Sequence, residues 1–155
     1  MAHETILAEL DRRREAARSM GGEAKLAKRR ERGQLNAGER LDALVDKDSF
    51  LEVGLLGQSV FEADAAATPR DGKITGFGRI DGRDVGVVVN DFTTKGASTS
   101  ATNSKKIGYI RKTCTEKGMP FIHVGESTGA RLPDAMGSKG MGAMLGNDTS
   151  QFRRM

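Results

Sequence analysis

The sequence predicts an α/β fold, and three neighbouring segments carry that prediction. Two strand-like runs at 73–80 and 83–90 flank Asp81 and Gly82, a pair typical of a tight hairpin turn. A helical pattern over 101–117 and a further strand, Phe121–Val124, which is expected to be buried, come next. Strand, loop, helix and strand in this order form a βαβ unit. We therefore expect the last two strands to be parallel, with a right-handed crossover.

The first 48 residues are predicted to form a helical arm. Residues 4–32 are rich in Ala, Glu, Arg and Lys, with a break at Gly21 and Gly22. The apolar stripe of this segment is thin, so it needs a partner surface. Asn36 and Glu39 have the spacing of a capping box at the start of a shorter helix. The buried face of that helix comprises Leu41, Leu44 and Val45.

The segments after the arm are assigned in the same way. Residues 50–53 are a short strand candidate, and 58–70 are predicted to be a loop. Residues 85–89 are nearly all apolar, as expected for a strand covered on both faces. Gly118 and Pro120 are expected to end the helix over 101–117. The buried stripe of that helix comprises Ile107, Ile110 and Cys114.

Composition limits the classes of function. The 155 residues suffice for one domain with a single core. One cysteine and the lack of a signal-like apolar run predict a cytoplasmic protein, and no run approaches the ~20 residues of a membrane helix. The net charge of +4 lies mostly in clusters where Arg and Lys alternate with Glu. Such clusters with few aromatic residues argue against nucleic-acid binding and favour a small anionic ligand or an acidic partner.

Residues 125–129, GESTG, match the G-x-S-x-G motif of serine hydrolases. The triad of those enzymes needs a histidine after the serine, whereas His3 and His123 both precede Ser127. The sequence therefore disfavours a serine hydrolase. A Ser–Lys pair with Lys139 stays open as an alternative without a specific feature in its support.

Other ligand motifs are missing. GSKGMGAMLG at 137–146 has neither Walker A spacing nor a dinucleotide-binding fingerprint, so we interpret it as a flexible or tightly packed glycine-rich segment. No His, Cys, Asp and Glu cluster has zinc spacing, so no metal is predicted. The βαβ unit instead places the loop 91–99 and the turn 125–131 at one carboxyl edge of the sheet. Backbone amides there suit a carbonyl oxygen or a phosphate.

Three stretches resemble one known family in the same order and at similar separations. They are MGGEAKLAKRRERGQLNAGERLDALVDKDSFLEVG, DGKITGFGRIDGRDVGVVVNDFTTKGAS and KGMPFIHVGESTGARLPD. Together they resemble the N-terminal part of the carboxyltransferase (beta) subunit of biotin-dependent acyl-CoA carboxylases of the propionyl- or methylcrotonyl-CoA type.

The resemblance implies a fold and an activity. After the arm at 1–48, residues 49–155 would form an incomplete crotonase-like domain, a β-β-α superhelix that binds acyl-CoA. The family transfers carboxylate from carboxybiotin to the α-carbon of an acyl-CoA. The resemblance therefore implies that biotin is the cofactor and that a partner carries it. That partner would be biotin carboxyl carrier protein or biotin carboxylase. It also implies a homo- or hetero-oligomer with other carboxyltransferase chains.

The resemblance also implies a set of acyl-CoA-binding residues, with no catalytic side chain among them. The residues that match the family's loop near the CoA adenine end are Gly96, Ala97 and Ser98. The residues that match its turn lining the CoA and acyl pocket are Ser127, Thr128, Gly129, Ala130 and Arg131. Lys95 joins the set because its charge suits a CoA phosphate.

Two departures from the family leave alternatives open. Thr128 replaces a glycine of the family and adds bulk where a ligand approaches. A family subunit is several times longer, so we expect a fragment or a split subunit that is inactive unless another polypeptide completes it. The alternatives are a biotin-independent crotonase-like acyl-CoA decarboxylase and a non-catalytic acyl-CoA-binding or assembly module.

Overall fold

The computed structural model describes residues 2–135, and within them helices surround one small mixed sheet. The helices are α1 (Ala2–Arg18), α2 (Glu23–Glu31), α3 (Ala37–Asp42), α4 (Glu62–Ala65), α5 (Ala101–Lys117) and α6 (Leu132–Ala135). The strands are β1 (Leu51–Glu52), β2 (Lys73–Ile80), β3 (Arg83–Asn90) and β4 (Phe121–Val124). Short 3-10 turns cover Pro69–Gly72 and Lys95–Ala97. The predicted glycine-rich segment 137–146 and Lys139 lie outside the described residues.

The sheet has the strand order β1-β2-β3-β4. The first three strands are antiparallel neighbours, and β4 runs parallel to β3, with Gly86 opposite Phe121. The β2–β3 hairpin turns at Asp81 and Gly82, whose φ angles of 50° and 75° are both left-handed. The predicted hairpin and the predicted parallel pair are confirmed.

Helix α5 connects β3 to β4 and has a defined signal at each end. Ser100 and Asn103 form a capping box at its start, because each side chain accepts a hydrogen bond from the main-chain N–H of the other. Gly118 ends the helix with a left-handed φ of 66°. Because β3 and β4 are parallel, the loop before α5 and the turn after β4 lie at the same end of the sheet.

The core lies on both faces of β3. Its main cluster joins β2 and β3 to α3 and comprises Ala37, Leu41, Ile74, Val85, Val87 and Val89. On the opposite face Val88 is fully buried, and Gly86 lies so close to α5 that a Cβ there would be 2.1 Å from Cys114 Sγ. The prediction of a strand covered on both faces is therefore confirmed.

Two segments differ from their prediction. The segment 58–70, predicted to be a loop, contains α4 and the turn Pro69–Gly72. Thr68 organises it, because its hydroxyl donates to the carbonyl oxygens of Asp64 and Ala65 and accepts from the N–H of Ser59. Strand β4 is only partly buried, because it forms the edge of the sheet.

The arm has the predicted break at Gly21 and Gly22 and the predicted capping box at Asn36 and Glu39. The N–H of Glu39 donates to Asn36 Oδ1 at 3.0 Å, and the N–H of Asn36 donates to Glu39 Oε2 at 2.7 Å. Helix α3 then packs Leu41 into the core of the sheet. Among residues 2–135, no helix combines the length and the apolar character needed to cross a membrane.

Candidate functional site

The 91–99 loop and the 125–131 turn are joined directly by main-chain hydrogen bonds. The N–H of Thr128 donates to the Gly96 carbonyl at 3.0 Å, and the N–H of Thr99 donates to the Gly129 carbonyl at 2.8 Å. The N–H of Arg131 donates back to Thr99 at 2.8 Å. The prediction that both segments lie at one edge of the sheet is confirmed.

Residues 95–97 hold an unusual backbone conformation. Lys95, Gly96 and Ala97 all have left-handed φ angles, of 48°, 60° and 49°. For residues other than glycine this conformation costs roughly 1–2 kcal/mol each. Two side chains distant in sequence hold it, because Lys73 Nζ donates to the Ala97 carbonyl at 2.6 Å and Ser127 Oγ donates to the same oxygen at 3.0 Å. Such strain is typical of ligand-binding segments.

Asp71, with no exposed surface, is the centre of a polar interior beneath the two segments. Its carboxylate accepts hydrogen bonds from Arg131 Nη1 at 2.7 Å, from the Asn103 N–H at 3.1 Å and from the Ser100 hydroxyl. Asn103 Nδ2 in turn donates to the Ser98 carbonyl at 2.8 Å. The buried network therefore fixes the 91–99 loop from below.

Arg131 and Ser98, two of the predicted site residues, belong to this interior. Their exposed fractions are 7% and 6%, and Arg131 Nε lies 3.4 Å from Ser98 Oγ. The side chain of Arg131 is thus occupied by Asp71. Contact of these two residues with CoA stays a prediction. Because their side chains are buried, such a contact would have to involve their main-chain atoms.

Two buried lysines extend the network, and sequence reasoning missed both. Lys106 Nζ donates to the carbonyls of Arg70 and Lys73 at 2.8 and 2.6 Å. Burial lowers the pKa of Lys73 and of Lys106 to about 8. Charged residues on a strand and on a helix give no sequence signal of burial, since lysine is usually exposed.

The exposed donors of the site are main-chain amides. Among the described residues, the N–H groups of Gly96, Ser127 and Ala130 have no protein acceptor. Gly129 has a φ of 112°, and a Cβ built there meets nothing within 4 Å, so this side of the turn is open. Open space beside unpaired amides suits an oxyanion or a carbonyl oxygen.

Other predicted residues hold the loops together. The N–H groups of Ala97, Ser98 and Thr128 donate to carbonyls within the two segments. Thr128 fills the space above Gly96, where a Cβ would lie 2.6 Å from its Cγ2. The Lys95 ammonium forms an ion pair with Asp64 at 2.8 Å, so its contact with a CoA phosphate stays a prediction.

Within residues 2–135, the Ser127 hydroxyl contacts no general base. Its hydroxyl donates to the Ala97 carbonyl and accepts from the Gly129 N–H at 3.1 Å. His123 Nε2 lies 2.9 Å from Asn90 Oδ1. Within residues 2–135 the His, Cys, Asp and Glu side chains form no group of three able to hold a metal ion. The arrangement suits main-chain anion binding better than nucleophilic catalysis.

Comparison with known proteins identifies the class of protein that has this fold and site. The family model described as the carboxyl transferase domain matches residues 28–153. The chain therefore belongs to the carboxyl transferase domain family.

Individual relatives agree with this assignment. The chain is 39% identical over 136 residues to the propionyl-CoA carboxylase beta chain of Roseobacter denitrificans. The matched region covers 86% of this chain and 27% of that protein. It is 39% identical over 140 residues to the biotin-dependent long chain acyl-coenzyme A carboxylase beta4 subunit of Mycobacterium tuberculosis, covering 90% and 26%. The chain thus spans about a quarter of the length of these curated relatives.

A solved structure supports the fold. The transcarboxylase 12S structure with methylmalonyl-coenzyme A and methylmalonic acid bound superposes with a TM-score of 0.78 at 30% identity, covering 97% of this chain and 28% of that chain. The α/β fold described above is therefore that of the crotonase-like carboxyltransferases, as predicted.

Proposed function

We propose that this chain supplies acyl-CoA-binding surface to a carboxyltransferase that moves carboxylate from carboxybiotin to the α-carbon of an acyl-CoA. One observation carries the proposal. The 91–99 loop and the 125–131 turn form one hydrogen-bonded surface, on which the amides of Gly96, Ser127 and Ala130 donate to no acceptor in residues 2–135. Amides held in place beside an open face stabilise the negative charge that develops on a thioester oxygen when the α-proton leaves.

The chain's own residues bind and orient in this proposal. The site residues are Lys95, Gly96, Ala97, Ser98, Ser127, Thr128, Gly129, Ala130 and Arg131. The amides of Gly96, Ser127 and Ala130 hold the CoA thioester, while the buried network around Asp71 keeps the loop rigid. Carboxybiotin, carried on a biotin carboxyl carrier protein or biotin carboxylase partner, supplies the carboxylate. We assign no biotin contact to the described residues.

Assembly and location belong to the same proposal. The solved relative is a 12S transcarboxylase described as a hexamer. We propose that this chain likewise works in an oligomer with other carboxyltransferase polypeptide, in the cytoplasm. The length of the relatives, about four times that of the matched region, supports the need for further polypeptide.

A matched pair of glycine variants tests acyl-CoA binding. Gly129 and Gly82 both have positive φ, of 112° and 75°, and both face open space. Replacement of either by Ala introduces backbone strain, which is larger at Gly129 because its φ lies further from the left-handed region open to other residues, and only Gly129 lies at the proposed site. We expect Gly129→Ala to weaken propionyl-CoA binding at least about tenfold in calorimetry, comparable to the loss of one charge-assisted hydrogen bond, and Gly82→Ala to leave it unchanged.

The controls separate specific binding from attraction to a basic chain. ADP carries phosphates without a thioester, so it should bind more weakly than propionyl-CoA at the same ionic strength. Equal binding of both ligands, or equal loss in both glycine variants, would refute the proposed site.

A further inference from the structure

The helical arm holds the 125–131 turn through the side chain of Glu126. Arg29 of α2 donates Nη1 and Nη2 to the two carboxylate oxygens of Glu126 at 3.0 and 2.8 Å. Arg40 of α3 places Nη2 2.8 Å from Glu126 Oε2. The side chain of Arg29 is only 9% exposed and that of Glu126 is 27% exposed, so the arginine half of this two-pronged ion pair is largely removed from water. Two arginines from two helices thus fix one carboxylate in place.

The main chain of Glu126 is fixed as well. Asn90, at the end of β3, donates Nδ2 to the Glu126 carbonyl at 3.1 Å. The Oδ1 of the same Asn90 amide lies 2.9 Å from His123 Nε2 on β4. Glu126 immediately precedes Ser127, whose N–H finds no acceptor in the described part of the chain. Any movement of Glu126 therefore moves that donor.

The same arm contacts the 91–99 loop. Lys25 Nζ donates to the Thr93 carbonyl at 2.9 Å, and the N–H of Gly21 donates to the Thr93 hydroxyl at 2.9 Å. The Arg29 guanidinium carbon lies 6.0 Å from the centre of the Phe92 ring. Arg29 therefore contacts both segments that form the site.

We propose that Arg29, assisted by Arg40, is a positioning residue of the acyl-CoA site, acting through Glu126 on the amides of the 125–131 turn. This role rests on the proposed function. Arg29 itself touches no reacting atom, because its guanidinium is occupied by Glu126 and by the Leu35 carbonyl. Residues 2–42 thereby become part of the binding site in addition to the sheet that carries the loops.

The test compares two Arg–Glu pairs in the full 155-residue chain. Glu126→Gln removes the charge gripped by Arg29, and Glu52→Gln is the matched control. Glu52 pairs with Arg70 at 2.9 Å, their side chains are 17% and 10% exposed, and neither forms a hydrogen bond to the turn. Both variants replace one carboxylate of a mostly buried pair by an amide of the same shape.

Two readouts separate positioning from general stability. The first is hydrogen exchange at the amides of Thr128 and Arg131, which cross to the 91–99 loop at 3.0 and 2.8 Å. We expect Glu126→Gln to accelerate exchange there about tenfold more than Glu52→Gln, as for the loss of a hydrogen bond to a charged group. The second is propionyl-CoA affinity, which should fall about tenfold in Glu126→Gln and stay unchanged in Glu52→Gln.

The outcomes distinguish this role from the proposed function. Equal acceleration of exchange in both variants would show that the Arg29–Glu126 pair contributes only global stability, and would overturn the inference. Faster exchange at Thr128 and Arg131 with unchanged affinity in Glu126→Gln would also overturn it. If the unaltered chain fails to bind propionyl-CoA, the proposed function fails. In that case, hydrogen exchange at Thr128 and Arg131 still shows whether Arg29 orders the turn.

Discussion

At the scale of single residues, Arg131 has a side chain that stabilises the fold. The resemblance places this residue in the CoA pocket, which stays a prediction, and its side chain is buried against Asp71. The two residues lie 60 positions apart in the chain. No local pattern of apolar residues reports such a pair, so only the folded structure could reveal it.

Removing this guanidinium should destabilise the protein strongly. Arg131→Gln would leave the fully buried Asp71 carboxylate without its charge partner, at a cost of about 3–5 kcal/mol in the free energy of unfolding. The control is Lys112→Gln, because Lys112 and Glu116 form an exposed pair at 3.8 Å worth about 0–1 kcal/mol. Urea denaturation measures both variants. Similar losses in the two would contradict the central position of the Asp71–Arg131 pair.

The buried ammonium of Lys73 predicts a particular dependence of stability on pH. Burial lowers its pKa from 10.5 to about 8. Between these two values the unfolded chain binds more protons than the folded one. The free energy of unfolding should therefore rise as the pH increases through this window, and fall as the pH decreases through about 8. Lys106 acts in the same direction.

Lys73→Met isolates this contribution. Urea denaturation at several pH values across the window measures the slope of stability for both proteins. We expect the unaltered chain to gain more stability toward alkaline pH than the variant. In the variant, Lys106 is the buried lysine that still contributes to this pH dependence. A variant whose slope equals that of the unaltered chain would show that Lys73 is not buried as a charged group.

At the scale of elements, the packing of α5 on β3 depends on a glycine. A Cβ on Gly86 would lie 2.1 Å from Cys114 Sγ and 2.9 Å from Ile110 Cγ2. Gly86→Ala should therefore cost about 1–3 kcal/mol through overpacking. Gly108→Ala, within α5 and facing open space, should instead stabilise the protein by about 1 kcal/mol. Thermal denaturation measures whether each variant is more or less stable than the unaltered chain. Stabilisation by Gly86→Ala would contradict this packing.

The elements with strong local signals were the ones the sequence predicted correctly. The hairpin at Asp81 and Gly82, the capping box at Asn36 and the end of α5 at Gly118 all follow from residues close in sequence. Helix α4 was missed because four residues show no helical period, and Thr68 stabilises it through its side chain. The candidate site was predicted as two converging loops. The buried residues that support those loops, Asp71, Lys73 and Lys106, were not predicted, because lysine and aspartate are usually exposed at the protein surface.

At the scale of the whole molecule, the arm and the sheet meet at the candidate site. Helices α2 and α3 contribute the arginines that hold Glu126, and the corner at Gly21 contacts Thr93. A Cβ on Gly21 would lie 2.1 Å from the Thr93 carbonyl oxygen, so the arm and the 91–99 loop are in close contact. The strained residues 95–97 are therefore supported from the polar interior below, while the arm braces the loop that contains them.

One measurement tests most directly whether these segments form an acyl-CoA surface. Backbone amide resonances of the isotope-labelled chain are followed during titration with propionyl-CoA, with ADP as the comparison ligand. We expect the thioester ligand to shift the amides of Gly96, Ser127 and Ala130 most, and ADP not to reproduce the shifts at Ser127 and Ala130. If the largest shifts instead fall on the exposed face of α1 around Ile6 and Leu7, with these three amides unmoved, the two segments do not form an acyl-CoA surface.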